Sequence, residues 1–253
     1  MKSLLVAFAM YTKIPVPTVT WDGKSLKYVY LWFPVIGAII GALMFGWHAL
    51  AVHFGVNSML FAVVATVLPI IITGGIHIDG FIDTMDAISS YGDREKRLEI
   101  MKDPHVGAFG VIMCGMYLLL NAGIWAQVYD KPRFLLIALI GFAVSRTLAG
   151  LSVIVLPPAR DTGLARTFSD GAGKKPVATV LIVYLAALIA GLVWVSVPAG
   201  TGTVVFVALL VLWFKMMTKK TFGGITGDLA GYLLQCTELL ILSAAAIGGI
   251  IWS

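Results

Sequence analysis

A stretch of 51 residues, Tyr28 to Ile78, contains no Asp, Glu, Lys or Arg. A helix needs about 20 apolar residues to cross the hydrocarbon core of a bilayer, so this stretch is long enough for two crossings. The turn residues Gly55-Val56-Asn57-Ser58 divide it near the middle. Over the whole chain 59% of the residues are hydrophobic and 12% are charged, whereas soluble domains have about 25% charged residues. The sequence therefore predicts an integral membrane protein.

The pattern of apolar runs and short polar loops continues to the end of the chain. It predicts an all-α fold, a polytopic membrane bundle of about seven helices that forms a single domain over residues 1–253. The N-terminal MKSLLVAFAM is similar to a secretory signal, but Lys13 interrupts it and no small-residue cleavage site follows. We expect a short interfacial or re-entrant helix there. The predicted crossings are 32–53, 58–78, 106–129, 134–157, 177–197, 202–218 and 231–251.

The Lys and Arg residues are distributed unevenly between the two sides of the predicted membrane. In chain order, the N-terminal segment, the six loops and the C-terminal end carry four, none, four, two, four, none, three and none, where the three include Lys215 near the end of the sixth crossing and Arg146 within the fourth is left out. Short cytoplasmic loops carry the excess of positive charge. This rule places the N-terminus and the loops 79–105, 158–176 and 219–230 in the cytoplasm and the C-terminus outside. It also accounts for most of the net charge of +5, so nucleic-acid binding is not expected.

Three carboxylates follow the long apolar stretch in the segment HIDGFIDTMDA, residues 77–87. Asp79, Asp83 and Asp86 are spaced i, i+4 and i+7, which keeps them within about a 60° arc of one helix face. No basic residue lies among them, so they are tolerable together only if a cation sits between them. Oxygen ligands of this kind suit Mg²⁺ or Mn²⁺, and such sites typically bind a diphosphate. The charges from Asp93 to Glu99 alternate in sign instead, which is typical of a solvated helix.

Two glycine-rich segments place a further carboxylate near a predicted helix start. KDPHVGAFG contains Asp103 before the third crossing, and TFGGITGD contains Asp228 before the seventh. Backbone amides at a helix N-terminus can approach an anion. With the aspartates at the end of the second crossing, this predicts one site built from three helix ends.

Several other polar residues have two interpretations. Arg160 and Arg166 are suited to phosphate oxygens, but the positive-inside rule also explains them. Arg146 and Glu238 lie within predicted crossings at similar depth and form either a structural ion pair or part of a cavity lining. His77 either lines the site or is an ordinary helix-end histidine.

Three segments resemble the signature blocks of the cobalamin synthase family, the adenosylcobinamide-GDP ribazoletransferases of membranes. They are TGGIHIDGFIDTMDA, LEIMKDPHVGAFG and GGITGD with the later Glu238. KIPVP, the Ser145-Arg146 pair and the stretch from Arg160 to Leu164 also sit where the family has similar residues. Ala87 stands where the family pattern has glycine, and the 158–176 loop matches in part.

The resemblance implies a transferase of cobalamin biosynthesis in the cell inner membrane. A hydroxyl of α-ribazole, or of its 5′-phosphate, attacks the cobinamide-side phosphorus of adenosylcobinamide-GDP, and GMP leaves with the help of Mg²⁺. It also implies contact with membrane lipid, and either a homo-oligomer or association with other corrinoid-pathway enzymes. The implied roles are metal binding for Asp79, Asp83 and Asp86, completion of the metal shell or proton acceptance for Asp103 and Asp228, and substrate contact for Arg146, Arg160 and Arg166, with His77 and Glu238 beside them.

Other membrane proteins share part of this pattern. DGFIDTMD resembles the start of the CDP-alcohol phosphotransferase motif, but Ile88-Ser89-Ser90 does not continue it. A prenyltransferase would need a second multi-aspartate cluster, and the later half offers only Asp161, Asp170 and Asp228. A transporter would place its ionisable groups near mid-membrane, where only Arg146 and Glu238 lie. A purely structural protein would not need three unpaired aspartates on one face.

Overall fold

The computed structural model describes residues 2–160 and 173–252. This part of the chain is helical, apart from turns, loops and an isolated parallel bridge between Pro158 and Ile225. A 3₁₀ turn, Val29–Trp32, precedes the third helix, and a π turn, Thr218–Phe222, extends the tenth. The helices are α1 (Lys2–Tyr11), α2 (Gly23–Leu26), α3 (Phe33–His53), α4 (Ser58–Thr73), α5 (Ile76–Ser89), α6 (Arg94–Ile100), α7 (Ala108–Val128), α8 (Pro132–Val155), α9 (Lys174–Val195), α10 (Val197–Met217) and α11 (Gly227–Ile251).

Within the described residues, six helices are long and apolar enough to cross a bilayer, namely α3 and α7 to α11. The pair α4 and α5 forms a seventh candidate, but it bends by 97° between Thr73 and Ile76. The prediction of an all-α membrane bundle with about seven crossings is confirmed, as is the short N-terminal apolar helix. The protein is therefore a multi-pass integral membrane protein.

The second predicted crossing, 58–78, is not one straight helix. Gly74 and Gly75 have φ angles of +66° and +82°, in the left-handed region that glycine adopts without strain. The Gly75 amide donates to the Ile70 carbonyl at 2.9 Å, which satisfies an acceptor at the end of α4. A hydropathy pattern does not reveal this break, because the two glycines are apolar and continue the apolar run. The break lets α5 leave the direction of α4 and carry the aspartates elsewhere.

The N-terminal segment packs against this break. The Lys13 amide donates to the Ile72 carbonyl at 2.7 Å, and the Lys13 side chain lies over Gly74. Tyr11 packs against Phe33 with ring centroids 4.6 Å apart. α1 therefore supports the end of α4 from outside the bundle.

α8 lies at the centre of the bundle and packs against α3, α9 and α11. Glycines allow the close approach to α3, because a Cβ added to Gly37 would lie 2.2 Å from the Phe142 carbonyl oxygen. Small residues at helix contacts serve this purpose in membrane proteins, where van der Waals packing replaces the hydrophobic effect between helices. The position of α8 in the bundle is therefore set by close backbone contacts as well as by side-chain packing.

A buried ion pair joins α8 to α11. Arg146 Nη1 donates to Glu238 Oε1 at 2.5 Å, and Ser145 Oγ donates to the same oxygen at 3.1 Å. A second bond runs from Arg146 Nη1 to the Phe142 carbonyl at 2.9 Å. Arg146 is 1% exposed. Charges at this depth are stable only when they are paired and hydrogen-bonded. The contact between Arg146 and Glu238 that their similar depth predicted is present.

We predict a strong non-additive effect of this pair on stability. Arg146→Met or Glu238→Leu alone leaves one buried charge without its partner and should lower the free energy of unfolding by about 3–5 kcal/mol. The double variant removes both charges and should be more stable than the sum of the single effects indicates. Apparent Tm values of the four proteins in detergent measure this coupling. Strictly additive shifts would mean that the two side chains do not interact.

Candidate active site

The candidate site is organised by the contact between α5 and the start of α11. A Cβ added to Gly80 would lie 2.8 Å from the Asp228 carbonyl oxygen, and one added to Gly231 would lie 3.2 Å from the His77 carbonyl oxygen. Any larger residue at Gly80 would force the two backbones apart. Thr226 begins α11 by accepting a hydrogen bond from the Leu229 amide at 3.1 Å. This geometry brings Asp228, in the first turn of α11, beside the aspartates of α5.

Four carboxylates share this region, and their negative charges act on one another. Asp83 lies in the field of Asp79, Asp228 and Asp86, and Asp228 also lies in the field of Asp79. Asp79 is exposed, whereas Asp83, Asp86 and Asp228 are partly buried. Among the described residues none of the four forms an ion pair with Lys, Arg or His. The structure thus brings together four of the five aspartates that the sequence grouped.

Asp86 also joins α5 to α7. Its two oxygens accept hydrogen bonds from the Gly107 amide at 2.8 Å and the Gly110 amide at 2.7 Å. A Cβ at either glycine would lie 2.4 Å from the Asp86 carboxylate, so both positions need glycine. The sequence predicted an anion at this helix N-terminus, and the anion in the structure is the Asp86 side chain. Each carboxylate oxygen keeps a second lone pair, so Asp86 can still bind a cation.

Asp103 lies apart from the other four aspartates. Its Oδ1 accepts hydrogen bonds from the His105 amide at 2.9 Å and is 2.7 Å from His105 Nδ1. These bonds hold the pKa of the Asp103 carboxyl below its usual value, the backbone bond contributing most. Asp103 lines a surface pocket with Lys96, Glu99 and His105, and none of the aspartates around Asp83 lines that pocket. The structure therefore does not bring Asp103 to the predicted site.

The aspartates do not by themselves enclose an ion. Across residues 2–160 and 173–252, no three Asp, Glu, His or Cys side chains are arranged so that they could hold a metal together. Mg²⁺ is usually bound through one or two carboxylates, water and substrate phosphates, so it does not need three protein ligands. The oxygen-only donor set of Asp79, Asp83 and Asp228 fits that kind of site.

Two loops meet at the same end of the bundle and place Arg160. The Ile225 amide donates to the Pro157 carbonyl at 2.8 Å, and the Ala159 amide donates to the Ile225 carbonyl at 2.9 Å. Gly224 permits this contact, because its added Cβ would lie 2.3 Å from the Pro157 carbonyl oxygen. Arg160 Nη2 donates to the Leu98 carbonyl at 2.5 Å, and its charge interacts with that of Asp228. Arg166 lies outside the described residues.

The remaining predicted residues lie deeper. Arg146 and Glu238 line a cavity of about 20 Å³ between α4, α7, α8 and α11. This volume accommodates one water molecule and not a substrate. His77 is 4% exposed and stacks against Tyr11, and its Nε2 has no hydrogen-bond partner among the described residues. The three side chains are therefore enclosed within the bundle.

Comparison with known proteins gives a consistent result. A family model described as cobalamin-5-phosphate synthase matches residues 3–246. Two proteins named adenosylcobinamide-GDP ribazoletransferase, from Lachnoclostridium phytofermentans and Clostridium perfringens, are 42% and 35% identical to the chain. These alignments cover 98% and 94% of this chain, and 94% of each relative. A relative of the same name from Brevibacillus brevis is 31% identical over 96% of both chains.

No solved structure matches the chain. The family match covers nearly its whole length, including both helices that carry the clustered aspartates. The chain belongs to the cobalamin-5-phosphate synthase family.

Proposed function

We propose that the protein is an adenosylcobinamide-GDP ribazoletransferase. It joins α-ribazole, or α-ribazole 5′-phosphate, to adenosylcobinamide-GDP and releases GMP, a late step in assembly of the cobalamin nucleotide loop. The near full-length similarity to proteins of that name supports this function. The structural observation that carries it is the contact of Gly80 with Asp228, which sets a fourth carboxylate beside Asp79, Asp83 and Asp86. Such a cluster is suited to phosphoryl transfer from a diphosphate.

In this proposal one or two carboxylates of the cluster, those of Asp79 and Asp83, would bind a divalent cation, Mg²⁺ or Mn²⁺, together with water and substrate phosphate. When bound, the ion neutralises negative charge on the diphosphate as the transition state forms. The carboxylates support this assignment, because four mutually repelling groups that form no ion pair among the described residues are costly together unless a cation joins them. Asp86 keeps α7 in place through its bonds to the Gly107 and Gly110 amides.

The chain's own groups orient the reaction. The ribazole hydroxyl oxygen forms a bond to the cobinamide-side phosphorus while the bond from that phosphorus to the GMP oxygen breaks. The sequence offered two proton acceptors, Asp103 and Asp228. Asp228 accepts the proton of the hydroxyl, because it lies beside α5, whereas Asp103 is bonded to His105. Arg160, in the field of Asp228, binds phosphate.

The site faces the cytoplasm of a cell whose inner membrane the protein spans. The segment after α8 bonds to Ile225 just before α11, and Arg160 bonds to Leu98 on α6, so these parts of the chain meet at one end of the bundle. The loops at that end carry most of the Lys and Arg residues, which the positive-inside rule assigns to the cytoplasm.

We predict that Asp83→Asn abolishes turnover of adenosylcobinamide-GDP and α-ribazole while the protein still folds. The substitution removes a hard anionic ligand and should cost about 100-fold or more in kcat. Glu95→Gln is the matched control, since Glu95 is an exposed acidic residue on α6. The measurement is GMP release by both purified variants at saturating Mg²⁺, with the apparent Tm as the test of folding. Near wild-type turnover of Asp83→Asn would exclude the cluster from the mechanism.

A second prediction concerns the orientation in the membrane. In a background of Cys114→Ser and Cys236→Ser, single cysteines are placed at Tyr91 or Lys220 on the site end and at Phe54 or Trp194 on the opposite end, all of them exposed. A membrane-impermeant thiol reagent added to intact cells should label the Phe54 and Trp194 positions only. Labelling of Tyr91→Cys from outside would reverse the proposed topology.

A further inference from the structure

The helix α6 carries charges on two different faces. Lys96 and Glu99 form an exposed pair at 2.9 Å, as expected of a solvated helix. Arg94 and Arg97, three residues apart, instead direct their guanidinium groups toward the protein. Arg94 Nη2 donates to the Ala159 carbonyl at 3.2 Å, and Arg97 Nη2 donates to the Ser90 carbonyl at 3.4 Å. The alternating charge pattern of the sequence therefore describes only one face of this helix.

Arg160 contacts the helix that carries the other two arginines. Its bond to the Leu98 carbonyl reaches α6, while the Arg94 guanidinium reaches back to the neighbouring Ala159 and lies directly on Gly223. Gly223 has φ of +76°, and any side chain there would collide with Arg94. We call Arg94, Arg97 and Arg160 the arginine cluster.

The arginine cluster has unused hydrogen-bond donors. Each guanidinium carries five N–H groups, and within residues 2–160 and 173–252 each of these three is bonded only to a backbone carbonyl. None of the three forms an ion pair with a carboxylate of the described residues. The Nε atoms of Arg97 and Arg160 are buried and lack a hydrogen-bond partner in that same part of the chain. A buried donor without a partner is costly, so an anionic ligand that satisfied it would bind favourably.

We infer that the arginine cluster is a phosphate-binding site, and that its ligand is the phosphate portion of the nucleotide-activated substrate. This inference rests on the proposed function and adds Arg94 and Arg97 to it. Guanidinium groups bind phosphate oxygens through paired, charge-assisted hydrogen bonds. Arg94 lies on Gly223, and Ala159 next to Arg160 bonds to Ile225, so the cluster lies beside the segment that leads into Asp228. A diphosphate can therefore contact the cation held by the carboxylates on one side and the arginine cluster on the other.

The headgroup of an anionic lipid presents the same phosphate chemistry. The cluster lies at an end of the bundle, where headgroups are also found. The position next to Asp228 favours the nucleotide, because a lipid headgroup bound there would compete with the substrate for the aspartate site. The experiment separates the two sources.

The test compares Arg94→Gln and Arg97→Gln with Arg133→Gln. Arg133 is a matched control, since its Nε donates to the Val195 carbonyl at 2.7 Å at the opposite end of α8. The proteins are reconstituted in nanodiscs of phosphatidylcholine, and binding of inorganic pyrophosphate is measured by calorimetry with Mg²⁺ present. Loss of a charge-assisted hydrogen bond should raise the pyrophosphate Kd about tenfold or more in the two α6 variants. It should leave the Arg133→Gln value unchanged, and Arg94→Lys should restore part of the affinity.

Steady-state kinetics provides the second readout. The KM for adenosylcobinamide-GDP should rise by a similar factor, while the KM for α-ribazole and the apparent Tm should stay near the wild-type values. A pyrophosphate Kd and a KM that do not change in either α6 variant would overturn the inference. So would an equal loss of affinity for both substrates together with a lower Tm, because that result indicates a structural role. Arg97→Gln, which removes only a 3.4 Å bond, is the decisive variant if Arg94→Gln does not fold.

A third measurement identifies the lipid alternative. If the variants bind pyrophosphate normally but retain less phosphatidylglycerol after purification from mixed nanodiscs, the ligand is a lipid headgroup and the nucleotide assignment is wrong. Arginine-dependent pyrophosphate binding by a wild-type protein that does not turn over adenosylcobinamide-GDP would retain the phosphate site and reject the proposed reaction. If both variants turn over adenosylcobinamide-GDP at the wild-type rate and KM, the proposed reaction is retained and the phosphate site is rejected.

Discussion

The close contact between the backbones of α5 and α11 is the interaction on which the candidate site depends. α5 can reach α11 because two left-handed glycines, Gly74 and Gly75, end α4 and change the direction of the chain. It can approach closely because Gly80 and Gly231 have no side chains at the contact. Without the bend, Asp79, Asp83 and Asp86 would continue along α4. Without the small residues, Asp228 would be held at side-chain distance from them.

Each carboxylate of the site has a different environment, and the differences follow from the helices around it. Asp86 is held by two amides at the start of α7, so it fixes the position of that helix. Asp79 is exposed, and Asp83 lies in the field of the other three carboxylates. A single face of one helix thus carries both a structural link and carboxylates that form no ion pair among the described residues. The repulsion between these negative charges favours binding of a cation, which in the proposed function would bind the diphosphate.

The arginines of the bundle interior and those of the loop end also have different environments. Arg146 is enclosed with Glu238 and contributes to the packing of α8 against α11. Arg94, Arg97 and Arg160 form no ion pair with a carboxylate of the described residues and bond to backbone carbonyls instead. The same residue type is thus paired with a carboxylate in the middle of the bundle and bonded to loop backbone at its end.

The sequence by itself determined the membrane location, the approximate crossings and the helical face of Asp79, Asp83 and Asp86. These features depend on local hydropathy and on the 100° rotation per residue, both of which are properties of consecutive residues. It also predicted that Asp228 would join them and that Arg146 and Glu238 would share a depth. It could not show that Asp86 is the anion at the start of α7 or that Asp103 pairs with His105 instead of joining the cluster. Nor could it show that the guanidinium groups of Arg94 and Arg97 bond to the protein backbone. Those outcomes were decided by the tertiary structure, because each depends on which helix ends meet in space, and that is set by backbone contacts at glycines far apart in the chain.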